Sequence, residues 1–385
     1  MSLRILHIAS FVGNIGDNMS HIGLMSIFDD ILPNYQVERL EIRKFYKNYT
    51  GNDKQHFDES FLSRLKNFDL CIIGGGGFLD YWVEGSESGT TIDISPTIIS
   101  HIDVPVLICS VGCIPHRTVP RGNIDKFKRF LDACALNPLI RIILRNDGSL
   151  ENVRRNIGDK YSLGLMQGLD NAFFINGKYE NELPFLKDYV AVNITSDQLL
   201  MNSEVSGEID IGLYNDELAK VVSYICEERG LNVVFVPHIY SDLEAISSLL
   251  ARLDDYTIRT RISIASCLQF DQGAIAAASI YQNARLTIGM RFHANIIPIA
   301  LGCTALGLVA LDRVKHMYDS IGMNKNYVFA DGCFSSELCG KIRNIFDDTL
   351  LDGQAWTPSL DVIKNEGRHS IVSAVRSLGI GQSSI

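Results

Sequence analysis

Short β-branched runs alternate with amphipathic stretches along the first half of the chain, as expected where parallel strands are joined by crossover helices. The apolar runs at 4–9, 70–73, 106–111 and 141–144 predict strands. The segments 17–32, 57–66, 91–101 and 124–135 predict helices, with Asp58 and Asn123 as candidate starts. The rhythm restarts after a Pro/Asn/Gly-rich joint at 176–184: strands are expected at 189–194, 232–237, 286–289 and 305–310, and helices at 217–229, 243–253, 274–281, 294–301 and 335–346. The repetition predicts an α/β fold of two Rossmann-like domains, at 1–178 and 185–355. The stretch 356–385 reads as a C-terminal helix and tail, with an amphipathic face over 362–378 that is expected to pack back on the N-terminal domain.

Length agrees with this division, since 385 residues at roughly 150 per domain make about two domains. The chain has 35 Lys and Arg against 45 Asp and Glu, a net charge of −10, which disfavours nucleic acid as its main partner because such affinity comes from cations that release phosphate counterions. The charge is uneven, however. Between Arg285 and His316 stand Arg285, Arg291, Arg313 and Lys315 against one acid, Asp312, so this stretch is suited to an anionic ligand. The nine cysteines form no C-x-x-C pair and lie mostly in apolar runs, which predicts buried thiols of a reducing cytoplasm rather than disulfides or a zinc site. The uncharged run 294–311 is interrupted by Asn295, Pro298, Gly302, Thr304 and Gly307, and reads as helix, turn and strand rather than an integral membrane span. The apolar N-terminal run is expected to be a first strand entering a glycine turn, not a signal peptide.

Open α/β sheets bind ligands beyond the carboxyl ends of their strands, where glycine turns and helix N-termini expose backbone N–H groups. Four such turns are legible here. Gly13-Asn14-Ile15-Gly16-Asp17 lacks the spacing of a dinucleotide fingerprint. Gly74-Gly75-Gly76-Gly77-Phe78 has no following Lys-Ser/Thr and is not a P-loop. The others are Ser110-Val111-Gly112-Cys113-Ile114-Pro115-His116 and Arg145-Asn146-Asp147-Gly148-Ser149. The segment Gly289-Met290-Arg291-Phe292-His293-Ala294 places a guanidinium and an imidazole between a strand and a helix, an arrangement suited to an anion with an acid/base group in reach. A structural ion pair for Arg291 and a backbone-bonded helix start for His293 are the alternatives. His238 and Asp242 form a further pair at a strand-to-helix turn.

In the order G-N-x-G-D, G-G-G-G-F, S-V-G, the Arg145 turn, Leu169-Asp170-Asn171-Ala172-Phe173, and G-M-R-F-H-A with its downstream A-L-G, the sequence resembles the polysaccharide pyruvyl transferase family from about residue 5 to 323. The resemblance implies a fold similar to GT-B glycosyltransferases, two Rossmann-like domains facing a cleft. It also implies transfer of a pyruvyl group from phosphoenolpyruvate to hydroxyls of a sugar residue during exopolysaccharide or cell-surface glycan synthesis, with a cyclic ketal formed and phosphate released. Phosphoenolpyruvate is then a co-substrate, and neither a further cofactor nor a metal is expected. The R-x-H motif carries donor binding onto Arg291 and His293. A family lysine in a D-P-K-V context aligns with Arg313 in Leu311-Asp312-Arg313-Val314-Lys315, with Lys315 two residues on. Asn146 stands where the family commonly has Asp, and Cys303-Thr304 where G-V-P is common.

On this reading His293 is the catalytic acid/base, and Arg291, Arg313 and Lys315 hold the donor. Asn14, Asp17, Asp80 and Tyr81 are expected to face the acceptor, with Gly75, Gly76, His116, Arg145 and His238 as further lining residues. The acceptor is a sugar or glycan, free, nucleotide-linked or lipid-linked, and a lipid-linked one would bring a cytoplasmic enzyme to the membrane periphery. A GT-B glycosyltransferase using a nucleotide sugar and a non-catalytic binder of an anionic metabolite are the rival readings. Oligomeric state is left open by the sequence.

Overall fold

A computed structural model of the chain describes residues 2–181, 183, 186–206, 209–347 and 360–381, with 203–206 described for backbone only. The residues group into two compact units, one of Met1–Val12, Ser20–Phe174 and Asp361–Ile385, the other of Gly13–Met19 and Ile175–Leu360. Each is a six-stranded, wholly parallel sheet with helices, as the α/β reading requires.

The first sheet comprises β1 (Leu3–Ala9), β2 (Tyr35–Glu41), β3 (Leu70–Gly76), β4 (Val106–Val111), β5 (Ile140–Leu144) and β6 (Met166–Gln167), in the order β2-β1-β3-β4-β5-β6. Every residue of β3 and β4 is buried, which is why these strands read as continuous apolar runs. β2 was not legible. Its sequence, YQVERLE, carries four charged or amide side chains and lies at the sheet edge, mostly out of the core, so the pattern that betrays a buried strand is missing.

The second sheet comprises β7 (Tyr189–Asn193), β8 (Asn232–Phe235), β9 (Ile262–Ile264), β10 (Leu286–Gly289), β11 (Ala305–Val309) and β12 (Tyr327–Phe329), in the order β12-β11-β10-β7-β8-β9. Successive connections thus run outward one way from β7 and the other way from β10. The strands at which this direction reverses form the topological switch point, where α/β sheets place their ligands. In the first unit the reversal falls between β1 and β3.

Local chemistry explains most element ends. Asp58 caps the helix Glu59–Leu65, its Oδ1 accepting from the N–H groups of Ser60 at 3.0 Å and Phe61 at 3.3 Å. Asn123 does not cap its helix. Gly122, at φ 86°, takes that position, and the buried Asn123 amide donates to the carbonyls of Tyr81, Val83 and Gly89. The uncharged run 294–311 becomes the helix Phe292–Ala300, a turn and β11; among the described residues no helix is long and apolar enough to cross a membrane. All nine cysteines are free thiols, and five of them are buried.

The helix Asp361–Ser377 groups with the first unit. Arg141 Nε donates to Ser377 Oγ at 2.9 Å, Arg368 pairs with Asp30 at 2.7 Å, and Gly367 lies against Leu169 and Phe174. Of the expected boundaries, Phe185 and residues 348–359, as well as the last four residues of the tail, lie outside the described residues.

Candidate active site

Two strand ends build the site in the second unit. β10 stops at Gly289, and Arg291 occupies the N-cap position of the helix Phe292–Ala300, which puts His293 in that helix's first turn. β7 ends in Asn193, whose side chain ties the neighbouring loops together: its Oδ1 accepts the Arg291 N–H at 3.0 Å and its Nδ2 donates to the Val236 carbonyl at 2.9 Å. The site therefore sits at the switch point of the sheet, where the dipole of the helix starting at Phe292 favours negative charge.

Arg291 is not a free cation. Its Nε donates to both oxygens of Asp242 at 2.9 Å, and its Nη2 donates to Asp242 Oδ1 at 2.6 Å, Thr195 Oγ1 at 2.9 Å and Asp197 Oδ2 at 3.0 Å. Burial works against the guanidinium charge, but the two carboxylates outweigh it and raise its pKa further. The structural ion pair weighed for Arg291 is thus present. Asp242 also accepts the His238 N–H at 2.9 Å, so a single buried carboxylate fixes both the arginine and the loop after β8. Asp197 is held below its usual carboxylate range: burial raises it, and the charges of Arg291 and Arg313 with the Thr195 hydroxyl outweigh that effect.

The N-terminal glycine turn belongs to this second unit. Asn14 Oδ1 accepts the Gly16 N–H at 3.1 Å, its carbonyl accepts the Asp17 N–H at 3.1 Å, and the Ile15 N–H reaches the His238 carbonyl at 3.4 Å. Gly16 lies directly on the His293 ring; a Cβ there would stand 2.5 Å from Nδ1, so only glycine allows this approach. Asp17 Oδ1 is 3.9 Å from His293 Nδ1, within ion-pair reach of a protonated ring. Asn14 and Asp17, expected on the acceptor side of the first domain, are therefore grouped with Arg291 and His293.

Arg313 and Lys315 lie on the helix Asp312–Ser320 but are used differently. Arg313 acts electrostatically on Asp197 and so belongs to the cluster. Lys315 is turned to Asp319 one helical turn on, with Nζ to Oδ2 at 2.6 Å, and this bond leads the causes that raise its pKa. Its ammonium is thus engaged in an i,i+4 pair on its own helix.

His238 is a core histidine, wholly buried, with Nε2 against the Tyr281 hydroxyl at 2.7 Å. Burial first, then the charges of Arg291 and His293, push its pKa well below the usual imidazole value. Its Nδ1 has no hydrogen-bond partner among the described residues. It supports the site through its backbone rather than lining it.

In the first unit, Asp80 Oδ1 accepts the Ile114 N–H at 2.7 Å. Tyr81 lies in the core, stacked on Phe127 with centroids 5.4 Å apart, with its pKa raised by burial to about 12. Its burial corrects its assignment to an acceptor surface. Gly75 takes φ 87° with His21 packed upon it, and Gly76 lies under the Phe78 ring. Arg145 is also buried, with Nε to Asp147 Oδ2 at 2.6 Å and Nη1 to Asp170 Oδ2 at 3.6 Å, so it holds the loops after β5 and β6 together instead of lining a binding surface. His116 is half-buried in the loop after β4.

The sequence reading did not single out Asn193, Thr195, Asp197 or Tyr281. The signal for Asp197 was present: Thr195-Ser196-Asp197 follows the apolar run of β7, the composition of a strand-to-helix turn at a sheet's carboxyl edge. Among the described residues no group of three or more His, Cys, Asp or Glu could hold a metal ion.

Solved structures with the same architecture include a protein from Listeria monocytogenes described as a putative UDP-N-acetylglucosamine 2-epimerase, at 12% identity and TM-score 0.57 over 98% of this chain and 96% of that one. The UDP-GlcNAc 2-epimerase of Methanocaldococcus jannaschii is similar at 12% identity and TM-score 0.53, covering 97% and 99% of the two chains. A glycosyltransferase from Rickettsia africae is similar at 11% and 0.52, covering 98% and 96%. At such identities the likeness speaks for the fold alone, which is of the GT-B type. No curated protein matches the sequence. The family model described as polysaccharide pyruvyl transferase matches residues 14–310, from the glycine turn on which His293 rests to the end of the apolar stretch that follows Arg291 and His293, and the chain belongs to that family.

Proposed function

We propose that the protein transfers the pyruvyl group of phosphoenolpyruvate to two hydroxyls of a sugar residue, forming a ketal and releasing phosphate. The observation that carries this reading is the meeting of two motifs from distant parts of the sequence: His293 of the R-x-H segment lies on Gly16 and beside Asp17 of the G-N-x-G-D turn. Neither motif is informative alone. Together they set an imidazole and a carboxylate at the start of a helix whose dipole favours an anion.

The reaction needs a proton at the methylene carbon of the enol phosphate. On this reading His293 supplies it, with Asp17, 3.9 Å from Nδ1, steadying the protonated ring. The carboxylate-bearing carbon then takes the first sugar hydroxyl, and the second hydroxyl displaces phosphate. Of the two hydroxyl protons, one balances that delivered to carbon and the other leaves with phosphate or solvent. Arg313 and the N-terminus of the helix Phe292–Ala300 are the groups suited to the donor's negative charge, with Arg291 contributing as part of its carboxylate cluster.

The test is phosphate release from phosphoenolpyruvate against acceptors containing galactose, mannose or N-acetylmannosamine. Acceptor-dependent release is expected. Nucleotide release from a nucleotide sugar, with none of phosphate from phosphoenolpyruvate, would instead establish a glycosyltransferase. Binding of phosphoenolpyruvate with no release under any acceptor would establish a non-catalytic binder.

A further inference from the structure

Arg291 carries two carboxylates, and they are not equivalent. Asp242 is 0% exposed, and its carboxylate is bonded to Arg291 by three hydrogen bonds and to the His238 N–H by a fourth. Asp197 opens the helix Asp197–Ser206, and its side chain is 40% exposed. Two bonds hold it there, Thr195 Oγ1 to Oδ1 at 2.5 Å and Arg291 Nη2 to Oδ2 at 3.0 Å. If Asp242 left the guanidinium it would be stranded away from water, whereas Asp197 leaving would be received by solvent. Charge points the same way. Arg291 already faces two carboxylates, so a further anion on its guanidinium adds to an excess of negative charge unless one carboxylate withdraws.

From this we infer that Asp197 is an internal stand-in for the anionic group of the substrate, occupying the exposed side of Arg291 in the unliganded protein and displaced when a phosphate or carboxylate binds. Asp242 keeps Nε throughout and holds the fork in orientation. Thr195, whose hydroxyl receives from Arg291 Nη2 and donates to Asp197, hands that donated hydrogen bond to the incoming anion. Asp197 is thus a specificity and affinity determinant that acts by competition. This inference rests on the proposed use of an anionic donor at the same cluster.

The experiment compares the full-length wild type with Asp197→Asn and Asp197→Ser by calorimetric titration with phosphoenolpyruvate and with inorganic phosphate, alongside phosphate release under the acceptor panel. Serine retains a short oxygen at the helix start, which covers the case in which Asn disturbs it. Removing the competing charge is expected to tighten binding of both anions about 2- to 5-fold, since partly exposed ion pairs of this kind are worth up to roughly 1 kcal/mol and a tenfold change is about 1.4 kcal/mol. A merely structural Asp197 would lower the thermal midpoint of the unliganded variants without raising affinity. Unchanged or weaker affinity in both variants, or no binding of either anion to any of the three proteins, overturns the inference. Absence of phosphate release while phosphate binding still tightens would overturn the donor reading and leave the competition established.

Discussion

Each unit contains an arginine beyond a strand end that is met by two aspartates, and the two arrangements differ in one respect. In the first, Arg145 with Asp147 and Asp170 is sealed: all three residues are buried, and the Ser149 hydroxyl closes on Asp147 by a short hydrogen bond. In the second, Arg291 has one sealed partner, Asp242, and one partly exposed partner, Asp197. The charges are the same in number and sign. What separates a structural rivet from a candidate binding group is solvent access on one side, because an ion can exchange partners only where water or a ligand can receive the one that leaves.

The largest effect expected on either side of this comparison is chemical. Asn in place of the buried His293 keeps a polar group of similar reach and removes the titrating ring, so His293→Asn should lower turnover about 10²- to 10⁴-fold, the usual contribution of a positioned acid/base. Steady-state phosphate release measures it, and a wild-type rate would remove His293 from the mechanism. In the sealed triad the effect should fall on stability instead. Arg145→Met leaves two buried carboxylates without their cation and should cost about 3–5 kcal/mol, read as a lowered urea midpoint, with turnover per folded molecule kept. A variant as stable as the wild type but slow would reverse the roles assigned to the two arginines.

The smallest effect concerns one buried histidine in each unit. His7 is depressed by burial first and then by His21 and Arg39, and His238 by burial and then by Arg291 and His293. Both pKa values are lower in the folded protein than in the unfolded chain, where a histidine titrates near about 6.5. Their stabilisation is therefore complete above that pH. It is lost as pH falls below it, because the unfolded chain takes up protons that the folded protein refuses. The slope reaches about 1.4 kcal/mol per pH unit for each histidine. Urea midpoints between pH 8 and 5 should show the decline, and His7→Gln and His238→Gln should each flatten it. A variant that retained the full wild-type slope would show that its histidine is not the group responsible.

Much of the fold was readable because buried parallel strands are apolar throughout. β4 and β10 fall at the residues expected, and β3 only runs on into its glycines. The strands that escaped notice are edge or short ones: β2 with its charged residues, the two-residue β6, and the three-residue β9 and β12. The site was readable in its motifs but not in its connections. Nothing along the chain shows that the turn at Gly13 joins the unit containing Arg291 rather than the one containing Asp80, since that depends on where the loop after β1 comes to rest.

The charge pattern marks the boundary most clearly. Sequence alone determined two parallel α/β units, the glycine turns at their strand ends, and a cationic stretch from Arg285 to His316 suited to an anion. Tertiary structure decided which of those cations are available. Arg285 is paired with Asp188, Lys315 with Asp319, and Arg291 with Asp197 and Asp242, three of these four aspartates coming from outside the stretch's own neighbourhood in sequence. Counting charge along a chain treats near neighbours as the relevant partners, whereas Coulomb energy falls with distance in space and rises with burial. The compensation of Arg291 is therefore set by the ends of β7 and β8, folded beside it from about fifty to a hundred residues away.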